Sequence, residues 1–167
     1  MFFEDRLAEF KLVQNEVFGA TILWNAVSEC FQSQKKVRGM PLPLCMLVLP
    51  ICYHLKTAES ISKCQLSSGI YMALSKDPTI PAGLQDRMID MADQTFEAIR
   101  VGANVGLISL DRTTTSIDLV PKRKTKPGEF KFDLDQTKNI ERTAKRLGRW
   151  FGELPLPTIC SLLRVGF

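Results

Sequence analysis

The sequence has only one histidine, His54, and no grouping of residues typical of metal or redox sites. Its five cysteines are odd in number, and no two of them are spaced as CxxC. Without a His/Cys/Asp cluster at ligand spacing, a metal site is not expected. Most of the cysteines lie within apolar runs, which is typical of small buried side chains in a reducing compartment.

Motifs of catalysis and nucleotide binding are also missing. The chain contains no GxxxxGK[ST], no GxGxxG after a strand and no GxSxG. We therefore expect neither an enzyme nor a bound cofactor. His54, at the end of an apolar run, is interpreted as the polar cap of a buried helix, and a catalytic His54 is the alternative.

A hydrophobic run long enough to cross a membrane is absent as well. The most apolar stretch is GMPLPLCMLVLPICYHL, residues 39–55, and its apolar core of about 14 residues falls short of the ~20 that a spanning helix needs. Pro41 and Pro43 suit a helix start, and Pro50 would kink or end the helix. The run predicts a short buried helix and no membrane partner.

The beginning of the chain, MFFEDRLAEF, carries acidic residues where a signal peptide has basic ones. This composition, together with the cysteines, predicts a cytoplasmic protein. With 167 residues, one compact domain over 15–167 is expected, preceded by an N-terminal arm over 1–14.

Apolar periodicity predicts a mainly α fold of α+β type. The predicted helices run from an Asn15 cap to about Gly39, over 42–54, over 67–74, from Thr79 to Val105, from Asp133 or Asp135 past Phe151, and over 158–163. The polar segment KTAESISK is interpreted as a turn. LISLD and SIDLV, joined by DRTTT, predict a β-hairpin over about 107–120. Helices followed by a two-stranded wing suggest a winged-helix arrangement, and a generic helical domain with an incidental hairpin fits as well.

Basic charge is concentrated in the last third of the chain. Residues 121–167 contain eleven Lys/Arg against five Asp/Glu, whereas the whole chain has a net charge of only +4. The cations form two groups. The first is a loop with Lys122, Arg123, Lys124 and Lys126. The second is a helix face with Lys138, Arg142, Lys145 and Arg149, beside Arg146.

The four helix cations are spaced four, three and four residues apart, which aligns them on one face. The apolar stripe of the same helix runs through Ile140, Ala144, Leu147 and Phe151. This helix is predicted to pack one side on the core and to present a basic ridge. The ridge suits phosphates or an acidic protein groove, and a merely solvated face is the alternative. No base-reading residues accompany it, so any DNA contact would be to the backbone.

Three blocks of this sequence resemble the middle components of three-component ABC-ATPase (ABC-3C) systems, which include the Lamassu type of anti-phage and anti-plasmid defence. The first block, NEVFGATILWNAV, carries Asn15 and Phe18, with Glu16 where the family has proline. The other two match at the following positions: Gly39, Pro41, Leu42, Pro43, Leu44, Leu49, Pro50, His54 and Thr57 in the second, and Leu147, Gly148, Arg149, Trp150, Phe151, Thr158 and Ile159 in the third. Arg164 stands where the family has glycine, and KTAESISK departs from the family pattern.

The resemblance implies a small non-catalytic adaptor in a prokaryotic defence complex. Its partners would be an SMC-like or Rad50-like ABC ATPase and an effector, often a nuclease, which the adaptor helps to hold inactive. Double-stranded DNA would be contacted through the complex. From the residues alone, a free-standing winged-helix DNA-binding regulator remains the alternative.

Overall fold

A computed structural model describes residues 14–113, 116–122 and 135–167; most of the predicted arm lies outside these ranges. The described helices are α1 (Glu16–Ser33), α2 (Leu42–Cys52), α3 (Leu55–Ser62), α4 (Gly69–Lys76), α5 (Leu84–Asp90), α6 (Ala92–Asn104), α7 (Asp135–Glu153) and α8 (Leu156–Leu163). The strands are β1 (Met40–Pro41), β2 (Ile108–Arg112) and β3 (Ile117–Pro121). The mainly α fold with a hairpin is confirmed.

The hairpin is joined by a third strand that the sequence did not predict. The strands pair antiparallel in the order β1-β3-β2, and Leu119 of β3 lies between Met40 and Leu110. Gly39, just before β1, passes so close to β3 that a Cβ there would lie 2.9 Å from the carbonyl carbon of Leu119. This glycine therefore permits the pairing that attaches β1 to the hairpin.

Helix α1 is the central core helix. The predicted cap is confirmed, because the side-chain oxygen of Asn15 accepts a hydrogen bond of 2.9 Å from the Phe18 N–H. Every residue from Phe18 to Val27 is buried. The helix ends at Ser33 and not near Gly39, because the chain turns at Lys35 and Lys36, whose φ angles are 55° and 61°.

The apolar run forms the short buried helix α2, as predicted, and its residues from Leu44 to Cys52 are all buried. The chain then bends by 101° into α3. The segment predicted as a turn is therefore a helix, whose buried side, including Ala58 and Ile61, packs on α7. The bend leaves the carbonyl of Pro50 without a helical partner, and Arg87 Nε donates a bond of 3.4 Å to it.

No single helix among the described residues is long and apolar enough to cross a membrane. Helices α2 and α3 together reach that length and apolarity, but they are bent by 101° against each other. Helix α2 is buried inside the protein over most of its length.

The long helix predicted from Thr79 to Val105 is wrong in two respects, because helical structure begins only at Leu84 and consists of two helices that meet at Met91. Helix α5 packs against α2, whereas α6 packs against α1. The bend at Met91, where φ is −100° and ψ is 8°, lets each helix turn its apolar side toward a different partner. The apolar spacing continues across the bend, which is why the sequence suggested one helix.

Helix α8 begins at Leu156, two residues before the predicted start, and ends at Leu163. Arg164, where the family resemblance led us to expect glycine, adopts the left-handed conformation with φ 55°. This is the conformation that glycine favours after a helix. Beyond it, the side chain of Gln85 binds Gly166 twice, accepting from its N–H at 2.8 Å and donating to its carbonyl at 3.2 Å.

Candidate interaction surface

Helix α7 is amphipathic, and its predicted apolar stripe, Ile140, Ala144, Leu147 and Phe151, is buried. It lies against α1 at very short range. A Cβ at Gly148 would lie 2.7 Å from the carbonyl carbon of Ala26, and one at Gly152 would overlap with Ser33. These two glycines, four residues apart, let the backbones of α1 and α7 touch.

Polar side chains fix the rotation of α7 about its own axis. The Thr143 hydroxyl donates to the carbonyl of Ala58 at 2.8 Å, and Trp150 Nε1 donates to the carbonyl of Leu66 at 2.9 Å. Thr143 and Trp150 are both buried, so each bond satisfies a group that water does not reach. Because α1 and α3 cover two sides of α7, its remaining side must point outward.

The predicted basic ridge occupies that outward side. Lys138 and Arg142 are exposed, Lys145 is half-buried, and within the described ranges none of these three forms an ion pair. Arg149 is 41% exposed and lies 3.2 Å from Glu153, one turn further along the helix. As far as the described residues show, the ridge presents three cations without an ion pair and one that is partly neutralised.

Arg146 does not belong to the ridge, although the sequence places it beside those residues. Its Nε donates to the carbonyl of Cys64 at 2.6 Å and its Nη1 to the carbonyl of Arg142 at 3.0 Å. Partial burial lowers the pKa of its guanidinium. Arg146 thus ties α7 to the end of α3 and is a structural cation.

The basic loop is only partly described. Lys122 is exposed at the end of β3, and its N–H donates to the carbonyl of Leu107 at 2.9 Å. Arg123, Lys124 and Lys126 lie outside the described residues. No hydrogen bond or ion pair between Lys122 and α7 is present in the part of the chain that the structure describes.

His54 lies at the junction of α2 and α3, where its Nδ1 is 2.6 Å from the hydroxyl oxygen of Thr57. Its own carbonyl accepts the N–H of Ala58. Burial, and to a smaller extent the charges of Arg87 and Lys56, lower the pKa of the imidazole. No group of three metal-ligating side chains is found among residues 14–113, 116–122 and 135–167.

His54 predicts a pH dependence of stability. Because its pKa is lower in the folded protein than the unfolded value of about 6.5, the unfolded chain binds the proton more readily below that pH. Stability should therefore fall as the pH drops from about 7.5 to about 5.5. In His54→Asn, which keeps a polar group near Thr57, urea denaturation should show a smaller fall. An equal fall in both proteins would contradict the assignment.

A polar groove of about 480 Å³ lies beside α3 and α4. Lysines 56, 63 and 76 line it together with Glu59 and Asp77, so its charges nearly balance. Lys63 Nζ lies 2.8 Å from Glu59, and a hydrogen bond from the Thr79 side chain lowers the pKa of Asp77. This groove lacks the excess of positive charge that the ridge has.

Apart from Arg149, which lies on the ridge, the residues that carry the family resemblance lie in the core or at helix ends. Pro41 precedes α2 and Pro43 is in its first turn. The N–H groups at these positions have no partner within the helix, so proline, which lacks the N–H, costs no hydrogen bond there. Leu42, at the start of α2, is half-buried, whereas these residues are buried: Gly39, Pro50, Leu147, Gly148, Trp150 and Phe151. These side chains position α2 and α7 and are inaccessible to a partner.

Sequence reasoning missed one exposed basic feature, the turn after α1 that contains Lys35, Lys36 and Arg38. Its three cations are visible in QSQKKVRG, but the segment was predicted as the tail of a helix. A tail would have spread these side chains around the helix axis. The structure instead gathers them in one short turn.

The described residues form a compact helical core, a three-stranded sheet and a basic outer helix, and they contain no metal-ligand group. These features define a small mainly α subunit. The family model for the ABC-three component (ABC-3C) system Middle Component 3 matches residues 3–167. The chain belongs to this family, and it is therefore a component of a defence-type system whose other components include an ABC ATPase. No curated protein and no solved structure gives a match.

Proposed function

We propose that this chain is a non-catalytic adaptor that links an SMC-like or Rad50-like ABC ATPase to an effector, most simply a nuclease, and helps to regulate that effector. In Lamassu-type defence such a complex would act on phage or plasmid DNA. Family membership supports a role among partner components. The single structural observation that carries the proposal is the outward ridge of Lys138, Arg142, Lys145 and Arg149 on a helix with fixed rotation.

The ridge is suited to an anionic surface. Its cations project from a helix whose other sides are occupied by α1 and α3, so binding would require little ordering of the backbone. The partner surface is an acidic protein groove or the DNA backbone. Lys122 would add a further cation to the basic surface that faces this partner. Contacts of this kind steer association and weaken as the salt concentration rises.

Charge reversal of the ridge tests the proposal. In Arg142→Glu/Lys145→Glu/Arg149→Glu, we expect an unchanged circular dichroism spectrum and at least tenfold weaker co-purification with the ATPase component, an order of magnitude typical of several lost charge contacts. The matched control reverses Lys56, Lys63 and Lys76, three exposed cations that line the groove. Equal binding by both triple variants would refute the role of the ridge.

The alternative function is a free-standing winged-helix DNA-binding regulator, which the hairpin and the basic helix favour. Such a protein should bind duplex DNA without any partner, with an affinity that falls steeply as salt rises. Absence of DNA binding at low salt, together with ATPase binding, would exclude the regulator. Tight DNA binding by the isolated chain and no association with the ATPase would exclude the adaptor.

A further inference from the structure

The turn after α1, residues 35–38 (Lys-Lys-Val-Arg), has an unusual backbone and unusual exposure. Lys35 and Lys36 are consecutive residues in the left-handed region, with φ angles of 55° and 61°. All four residues are exposed, and Val37 is 79% exposed, more than any other large hydrophobic side chain in the described residues. We call this segment the basic turn.

Glycine would be the favourable residue at both left-handed positions. A side chain in this conformation is strained because its Cβ crowds the following carbonyl oxygen. Attraction between lysines and the carboxyl end of α1 does not explain the choice, because a lysine in the last helical turn would supply it without strain. Two strained lysines in succession therefore indicate that their side chains have a use outside the fold.

The basic turn is anchored at both ends by hydrogen bonds and packing. Before it, the Ser33 hydroxyl donates to the carbonyl of Cys30 at 2.8 Å, and the Lys36 N–H donates to the carbonyl of Phe31 at 2.8 Å. At its last residue, Arg38 lies 3.7 Å from the buried carboxylate of Asp118. Gly39 then packs against the Leu119 carbonyl. These contacts anchor the turn to α1 on one side and to β3 on the other.

The charge and shape of the turn indicate the chemistry of its partner. Lys35 and Lys36, which form no ion pair among the described residues, favour negative charge opposite them, because a like-charged surface would repel them. The charge of Arg38 is already partly neutralised by Asp118. Val37, next to these cations, would bury apolar surface in an apolar contact, which a DNA phosphate backbone does not offer. An acidic protein surface with a small apolar depression meets both requirements.

We propose that the basic turn is a docking contact for an acidic, locally apolar surface of the ABC ATPase component, an inference that rests on the adaptor function proposed above. The contact between Gly152 and Ser33 places the carboxyl ends of α1 and α7 side by side. The turn therefore lies at the same end of the protein as the Arg149 end of the ridge.

Glycine substitution separates binding from folding at this turn. Lys35→Gly/Lys36→Gly keeps the left-handed backbone and removes both charges, so its unfolding midpoint should equal or exceed that of the wild type. Its affinity for the ATPase component, measured with purified full-length proteins, should fall about tenfold. Val37→Ser should weaken binding in the same direction without unfolding the protein.

Arg164→Gly is the matched control, because Arg164 is also an exposed cation at a left-handed position after a helix. It should bind the ATPase as the wild type does. Wild-type affinity of the Lys35/Lys36 and Val37 variants would overturn the docking contact and leave the adaptor role intact. Failure of the wild-type protein itself to bind the ATPase would overturn both the docking contact and the adaptor role. If the variants lost only duplex DNA binding, the proposal that the turn contacts a protein would be wrong.

Discussion

Gly148→Ala is expected to lower the free energy of unfolding by about 3 kcal/mol or more, at or above the upper end of ordinary overpacking. The added methyl group would meet the backbone of Ala26, with the carbonyl carbon at 2.7 Å and Cα at 2.8 Å. Backbone cannot rotate away as a side chain can, so α1 and α7 would have to move apart. Denaturant unfolding followed by circular dichroism measures the loss.

Gly166→Ala is the control for this prediction, because no atom lies within 4 Å of the Cβ position at Gly166. We expect a change of less than about 0.5 kcal/mol there. A Gly148 variant as stable as the control would show that α1 and α7 are not in backbone contact. The helix-helix interface described above would then be wrong.

Phe151→Ala is expected to cost about 3–5 kcal/mol, the usual range for a phenylalanine removed from a packed core. Phe151 is only 1% exposed and belongs to the same buried cluster as Leu147 and Trp150. Truncation leaves a cavity that the two closely packed helices cannot close. A lower unfolding midpoint in thermal and denaturant experiments would report it.

Phe96→Ala is its matched control, also a phenylalanine in a helix but 50% exposed. Its cost should be below about 1 kcal/mol, because little apolar surface returns to water. If Phe151→Ala unfolded no more easily than Phe96→Ala, Phe151 would have to be a surface side chain. It would then be available to a partner component.

The features that the sequence predicted correctly depend on short-range patterns. The Asn15 cap, the buried run over α2 and the hairpin each follow from residues close together in the chain. The features that it missed depend on contacts distant in sequence. The sequence of helix α3 is mostly polar, and its narrow apolar side is stabilised by packing on α7. Strand β1 has only two residues and forms because it pairs with β3.

The candidate surface was predictable to a similar extent. Helical spacing placed Lys138, Arg142, Lys145 and Arg149 on one face, and the structure keeps that arrangement. The spacing of residues in the sequence could not show that Arg146 would reach the carbonyl of Cys64, because that carbonyl lies at the end of another helix. Nor could it show the basic turn, since nothing in local propensity predicts two left-handed lysines.

The contact between Ala26 and Gly148 also has a consequence for synthesis of the protein. The apolar helix α1 emerges from the ribosome before α7, which covers it and follows over a hundred residues later in the sequence. At synthesis rates of about 5–20 residues per second, α1 would wait roughly ten seconds for α7. During that interval its apolar side must be shielded by chaperones or by transient collapse, and truncated chains that lack α7 should aggregate.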